Sequence, residues 1–288
     1  MASQHHIENP FEFVVEKLTW GVTDLGKAVI PHPERHVGQA IPQVRKITTA
    51  DLRDALRAAW GDIAATRDDI LFIGVIYPVA GLLIAGLTAG ADLLPMVFPL
   101  VSGFAILGPV AAVGLYEMSR RRERGEQVNW LDAFGVLRSP ALPSILGLGL
   151  LFLALFGLWL AAAYQINLAT LGSAAPPTLR AFEQNLFWTK GGQTLIAAGI
   201  GVGFLFALVA FVVGVVSFPL LLDRDVDMWV AVATSFRAVA ANPGVMALWA
   251  AIVVGALVLG SIPALVGLVL VMPLLGHATW HLYRKLID

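Results

Sequence analysis

Six apolar stretches, 70–90, 94–118, 141–164, 194–222, 244–259 and 261–281, fill the chain from residue 70 onward, and almost no charge falls inside any of them. A helix crosses the hydrocarbon core of a bilayer with about 20 mostly apolar residues at roughly 1.5 Å rise each. In lipid its backbone N–H and C=O groups must be satisfied within the segment, because no water is there to do it. A chain of 288 residues that is 58% hydrophobic and 14% charged, with a mean hydropathy of +0.77, carries more apolar surface than a water-soluble core needs. The expected fold class is therefore all-α: a helical membrane protein with six transmembrane helices. Residues 1–45 read as an N-terminal amphipathic helix with a proline-containing linker, and residues 46–288 as the six-span transmembrane domain.

Composition removes several kinds of chemistry. Cysteine is absent, so disulfides, thiolate catalysis, iron–sulfur ligation and lipidated cysteine do not arise. A net charge of −1 gives no reason to expect nucleic acid as a partner. The polar start of the chain has no apolar h-region, so the first span is expected to direct insertion itself. Orientation follows from the basic residues. Lys17, Lys27, Arg35, Arg45, Lys46, Arg53, Arg57, Arg67, Arg120, Arg121, Arg122, Arg124, Arg138, Arg224, Arg237, Arg284 and Lys285 lie on one side of the six spans, and only Arg180 and Lys190 on the other. The positive-inside rule then places both termini in the cytoplasm of a bacterial inner membrane.

A threefold repeat is legible in the same segments. Each unit is a cytoplasmic amphipathic helix, an ascending span and a descending span with a proline near its middle or cytoplasmic half, at Pro109, Pro219 and Pro273. The surface helix around Ala55 aligns without gaps with the one around Ala231, and the middle copy, 129–138, is shorter. Repeats of this kind often place a binding site on their pseudo-symmetry axis, although duplication of a packing unit needs no site at all.

Ahead of the membrane, Asn9, Pro10 and Glu12 form a helix start. Phe11, Val15, Leu18, Val22, Leu25 and Val29 follow at alternating spacings of 4 and 3, a narrow apolar seam with Glu16, Lys17, Asp24 and Lys27 outside it. Such a seam calls for another helix: one of the protein's own interfacial helices, a second copy or a different membrane protein. Lipid binding alone is the weaker option, because the helix carries few basic residues.

The segments Asn9-Pro10-Phe11-Glu12, Arg45-Lys46-Ile47, Asp51-Leu52-Arg53-Asp54-Ala55-Leu56, Gly108-Pro109, Gly114-Leu115-Tyr116-Glu117 with the arginine cluster, and Gly276-His277-Ala278-Thr279-Trp280-His281-Leu282-Tyr283-Arg284 together resemble a family of uncharacterised bacterial integral membrane proteins. The resemblance runs across nearly the whole chain. It implies a multi-pass protein of the cytoplasmic membrane and carries no settled activity.

Motifs for chemistry are scarce: there is no Walker loop, nucleophile elbow, His-Glu-x-x-His or dinucleotide fingerprint. One polar set remains. Counting eight residues on from each repeat proline gives Glu117, Asp227 and His281, and His277 lies one turn before His281 on the same helix face. If these four converge, they could hold a metal, a quinone head group or a proton. The simpler reading is that each lies at interface depth, paired with Arg120, Arg284 or lipid head groups, and it expects no catalytic residue, cofactor or metal. The expected function is thus non-enzymatic: an accessory or assembly subunit that docks to a larger membrane complex, in contact with the lipid bilayer and with a membrane-protein partner or a second copy through the N-terminal helix. A small-molecule or ion channel or carrier is the alternative, although no Asp, Glu, Lys or Arg sits near mid-span to couple ions.

Overall fold

The computed structural model describes residues 41–65, 95–173, 178–262 and 266–287. Within them the chain is all-helical, apart from an isolated antiparallel bridge between Val44 and Ile287. In chain order the helices are α1 (Thr49–Ala65), α2 (Val97–Phe104), α3 (Gly108–Ala111), α4 (Val113–Glu123), a 3-10 helix (Trp130–Arg138), α5 (Leu142–Thr170), α6 (Leu179–Trp188), α7 (Lys190–Gly214), α8 (Ser217–Asp223), α9 (Met228–Ala241), α10 (Pro243–Ser261) and α11 (Leu268–Leu286). The expected first span, 70–90, and the whole N-terminal seam of Phe11, Val15, Leu18, Val22, Leu25 and Val29 lie outside the described residues.

Among the described residues, three helical segments are long and apolar enough to cross a membrane: Leu142–Thr170, Lys190–Asp223 and Pro243–Ser261. They coincide with the stretches expected at 141–164, 194–222 and 244–259. Their outward sides carry large exposed apolar groups, among them Leu150, Leu153 and Leu158 on α5, Phe204 and Leu205 on α7, and Val254 and Val258 on α10. In water so much contiguous apolar surface would drive aggregation; in lipid it is the ordinary solvent-facing surface.

The stretch 94–118 does not form one continuous helix. Pro109 has no N–H, and its ring would collide with the carbonyl four residues back. The backbone answers by tightening: the amides of Ala105, Ile106, Leu107 and Gly108 each donate to the carbonyl three residues earlier, at 2.9 to 3.1 Å, in 3-10 fashion. Pro109 then sits in the first turn of α3, where a missing N–H costs nothing. Pro219 produces a second break, between α7 and α8, and here hydroxyls replace the lost amides. Ser235 of α9 donates to the Val212 carbonyl at 2.6 Å and accepts from the Val216 amide at 3.2 Å, while Ser217 donates to the Val213 carbonyl. Pro273 is carried inside a continuous α11.

The helical segments on the C-terminal side of each break or proline form the centre of the described residues. α4, α8 and α11 pack against one another, and nearly every side chain from Val113 to Ser119 and from Ser217 to Leu222 is buried. A Cβ at Gly276 would lie 2.6 Å from Leu115 Cδ1, so α11 and α4 approach at a distance that glycine permits. Phe152 of α5 meets Phe218 of α8 edge to face, with ring centroids 5.2 Å apart. The surface helices cover this centre: α1 lies on α11, the 3-10 helix on α4, and α9 on α8. In α1 the buried positions Leu52, Ala55 and Ala59 recur at spacings of 3 and 4, one face of an α-helix.

Candidate functional site

The C-terminal ends of α4, α8 and α11 bring Arg120, Arg121, Arg122, Arg224, Arg284 and Lys285 to one end of the bundle. Three carboxylates organise the arginines, and the networks they start link helices that are distant in sequence.

Asp62, near the end of α1, is the first. Its Oδ2 lies 2.6 Å from Ser119 Oγ on α4 and 2.9 Å from His281 Nε2 on α11, and His277 Nδ1 is 3.6 Å away. Arg122 adds a looser ion pair to Oδ1 at 3.7 Å. Burial alone would raise the Asp62 carboxyl, but the hydrogen bonds from His281 and Ser119, with the charges of His277 and His281, outweigh it and hold the group below its usual value. An ionised carboxylate only accepts, so Ser119 donates its one hydrogen to Asp62 and His281 donates from Nε2. The 2.7 Å contact between Ser119 Oγ and His277 Nδ1 then has the imidazole as donor. This polarity is the reverse of a Ser–His nucleophile pair, in which the imidazole must take the hydroxyl proton. The arrangement fastens α1 to both α4 and α11. His281 also lines a cleft of about 540 Å³ with Asp54, Glu123, Arg284 and Lys285, which opens the network to the surface.

Glu117 on α4 is the second. Its side chain is only 3% exposed, with Arg121 Nε 2.8 Å from Oε1 and Arg120 Nη2 2.9 Å from Oε2. Arg120 continues to the Leu222 carbonyl, where a guanidinium satisfies the C-terminal end of α8. Arg121 continues to Asp132 Oδ1 at 2.7 Å. Asp132 is in turn half of a capping box with Asn129, whose side chain accepts from the Leu131 amide at 2.9 Å while Asp132 accepts from the Asn129 amide at 2.9 Å. The guanidinium of Arg121 lies across Gly135, where a Cβ would come within 2.5 Å of Nη2. A glycine at that position is what lets the 3-10 helix close down on the ion pair.

Asp223, at the end of α8, is the third. It accepts from the Tyr283 hydroxyl at 2.7 Å and from Arg284 Nη1 at 3.3 Å, and Arg284 reaches Glu123 Oε2 at 3.2 Å.

The four residues singled out from sequence therefore divide. His277 and His281 meet on Asp62. Glu117 belongs to the arginine network, and Asp227 caps α9 by accepting from the Trp229 amide at 2.8 Å. Among the described residues no group of three or more His, Asp or Glu side chains is arranged to hold a metal ion. Asp62, Ser119, Asp223 and Tyr283 were not anticipated, although Asp62 had a readable signal: with Leu52, Ala55 and Ala59 it continues the 3, 4, 3 register of the buried face of α1.

Residues 97–223 match the model of a family described as predicted integral membrane protein, DUF2189. The matched stretch runs from α2 through α8 and includes Glu117, Ser119 and Asp223, while Asp62, His277 and His281 lie outside it. No curated protein and no solved structure matches the chain.

Proposed function

We propose that the chain is a non-enzymatic, six-span protein of the bacterial cytoplasmic membrane with both termini inside, and that it docks as an accessory or assembly subunit to a larger membrane complex. The observation that carries the docking reading is a ridge on the 3-10 helix. A 3-10 helix has about 3 residues per turn, so side chains three apart stand in line. Leu131, Phe134 and Leu137 form such a line and are 57%, 49% and 64% exposed, while Ala133 and Val136 on the opposite side are buried against α4. The Glu117–Arg121–Asp132 network holds this ridge in place, which is preorganisation for a contact rather than for chemistry.

The threefold repeat has support of its own in the packing. The surface helix of each unit lies on the post-proline helix of another: first on third, second on first, third on second. The broken helices are a feature that carriers share, but the carbonyls freed near Pro219 are taken by Ser217 and Ser235 rather than turned toward a pathway.

The test is purification of the full chain in mild detergent, followed by native mass measurement and identification of co-purifying subunits. A hetero-complex is expected, and replacing Phe134 and Leu137 with Asp should release the chain as a smaller species. Leu137 is exposed, so its change should alter stability by about 0.5 kcal/mol or less, and the loss of the edge-to-face contact of Phe134 with Trp130, at 6.2 Å between ring centroids, should cost about 1 kcal/mol. A wild-type chain that purifies alone, or a complex unchanged by the double substitution, overturns the docking reading.

A further inference from the structure

On the far side of α9 from α8, the extended stretch 41–44 crosses the second half of the helix and leaves a cleft of about 630 Å³ between them. One wall is fixed. Val44 bridges Ile287, the Arg45 amide donates to the Leu286 carbonyl at 2.8 Å, and the Asn242 side chain accepts from the Ile47 amide at 2.8 Å while donating to the Arg45 carbonyl at 3.0 Å. The other wall is α9 itself, which presents Phe236, Arg237 and Ala240. Phe236 and Trp229, two turns apart on one face of α9, are both exposed, the placement of an interfacial aromatic pair.

The lining is apolar apart from Gln43 and Arg237, and it contains no acidic residue. Arg237 is exposed and has no carboxylate partner among the described residues, and the exposed Arg45 and Lys46 flank the stretch that forms the wall. A ligand for this place must bring an apolar body and an anionic group together. A soluble anion supplies only the second, and a neutral hydrocarbon only the first.

We infer that the cleft binds one anionic phospholipid from the leaflet around the basic end of the bundle, with its glycerol and upper acyl region against Phe236, Val44 and Ala240 and its phosphodiester at Arg237. The site is independent of the docking ridge on the 3-10 helix and does not rest on that reading. It makes the fixed stretch 41–47, which would otherwise be a simple connection, one side of a lipid site.

Native mass spectrometry of the full chain in a neutral detergent tests this, with phosphatidylglycerol and phosphatidylcholine of matched acyl chains added in turn. One retained phosphatidylglycerol is expected, bound about fivefold or more tightly than phosphatidylcholine, since one basic side chain near a charged headgroup contributes about that factor. Arg237→Gln should remove the preference, Arg237→Lys should keep most of it, and Ala240→Trp, which fills the cleft from an exposed position, should abolish retention of both lipids. Arg138→Gln, on another surface helix, should change nothing. Equal retention of the two lipids, an unaltered preference in Arg237→Gln, or complete displacement by millimolar inorganic phosphate each overturns the proposal, the last by showing a site for the free ion.

Discussion

Replacing Glu117 with Ala lowers the stability of the detergent-solubilised protein by about 3 kcal/mol or more, read as a fall in the thermal midpoint followed by size-exclusion fluorescence. The carboxylate is buried, and its removal takes the shared partner from two guanidinium groups that are only 19% and 29% exposed, leaving Arg120 with the Leu222 carbonyl and Arg121 with Asp132. Breaking a buried pair from one side costs about 3–5 kcal/mol because the remaining charge stays desolvated, and partial escape of Arg121 to water sets the lower end. The loss reaches beyond Glu117 itself, because the network continues to the end of α8 through Arg120 and to the 3-10 helix through Arg121 and Asp132. Asp132→Asn removes only the outer link, between partly exposed groups, and should cost about 1 kcal/mol or less. If the two substitutions prove equally mild, Glu117 is not the organising charge of this end of the molecule.

Asp62→Asn has an effect of about 2–3 kcal/mol at neutral pH, since hydrogen bonds to an ionised group contribute about 1.5–3 kcal/mol each and the amide cannot accept from Ser119 and His281 with comparable strength. Its pH dependence identifies the cause. The Asp62 carboxyl lies below its ordinary value in the folded protein, so its stabilisation is fully present above the unfolded value of about 3.9 and is lost as pH falls through the depressed folded value. The gap between wild type and Asp62→Asn should therefore be present above about pH 4 and close as the pH falls below it. A gap that stays constant through the acid range would mean that shape, rather than charge, makes Asp62 important. Ser119→Ala provides the complementary comparison: it should expose the direct His277–Asp62 contact at 3.6 Å as a poor substitute for the bridged one.

The apolar segments were legible because a long charge-free run has few alternatives to a spanning helix, and 141–164, 194–222 and 244–259 needed only adjustment at their ends. The effects of the prolines were not legible to the same degree. All three stand out as residues, yet only Pro109 and Pro219 divide their helices. The difference depends on partners elsewhere: Ser235, on a separate helix, supplies the hydrogen bonds that make the break at Pro219 tolerable. The helical stretch at 129–138 was visible, but its 3-10 winding was not, nor was the approach of Gly135 to the Arg121 guanidinium, a tertiary contact. The polar residues show the same limit. Spacing along one helix put His277 and His281 on one face, and both lie at Asp62, whereas counting from the prolines grouped Glu117 and Asp227 with them, although Glu117 pairs with Arg120 and Arg121 and Asp227 caps α9. Asp62 occupies a buried-face position in a helix that was read as a surface element, and a carboxylate in that register was the clue to look across to another helix.

The orientation of the polar end decides the account most directly. Reporter fusions that are active only in the periplasm, placed after Asp92, Arg124, Ser173 and Asp288, should be active at Asp92 and Ser173 and silent at Arg124 and Asp288, as the distribution of basic residues requires. Periplasmic activity at Arg124 or at Asp288 would put the three carboxylate networks and the 3-10 ridge on the wrong side of the membrane for a cytoplasmic docking surface, and would contradict the account.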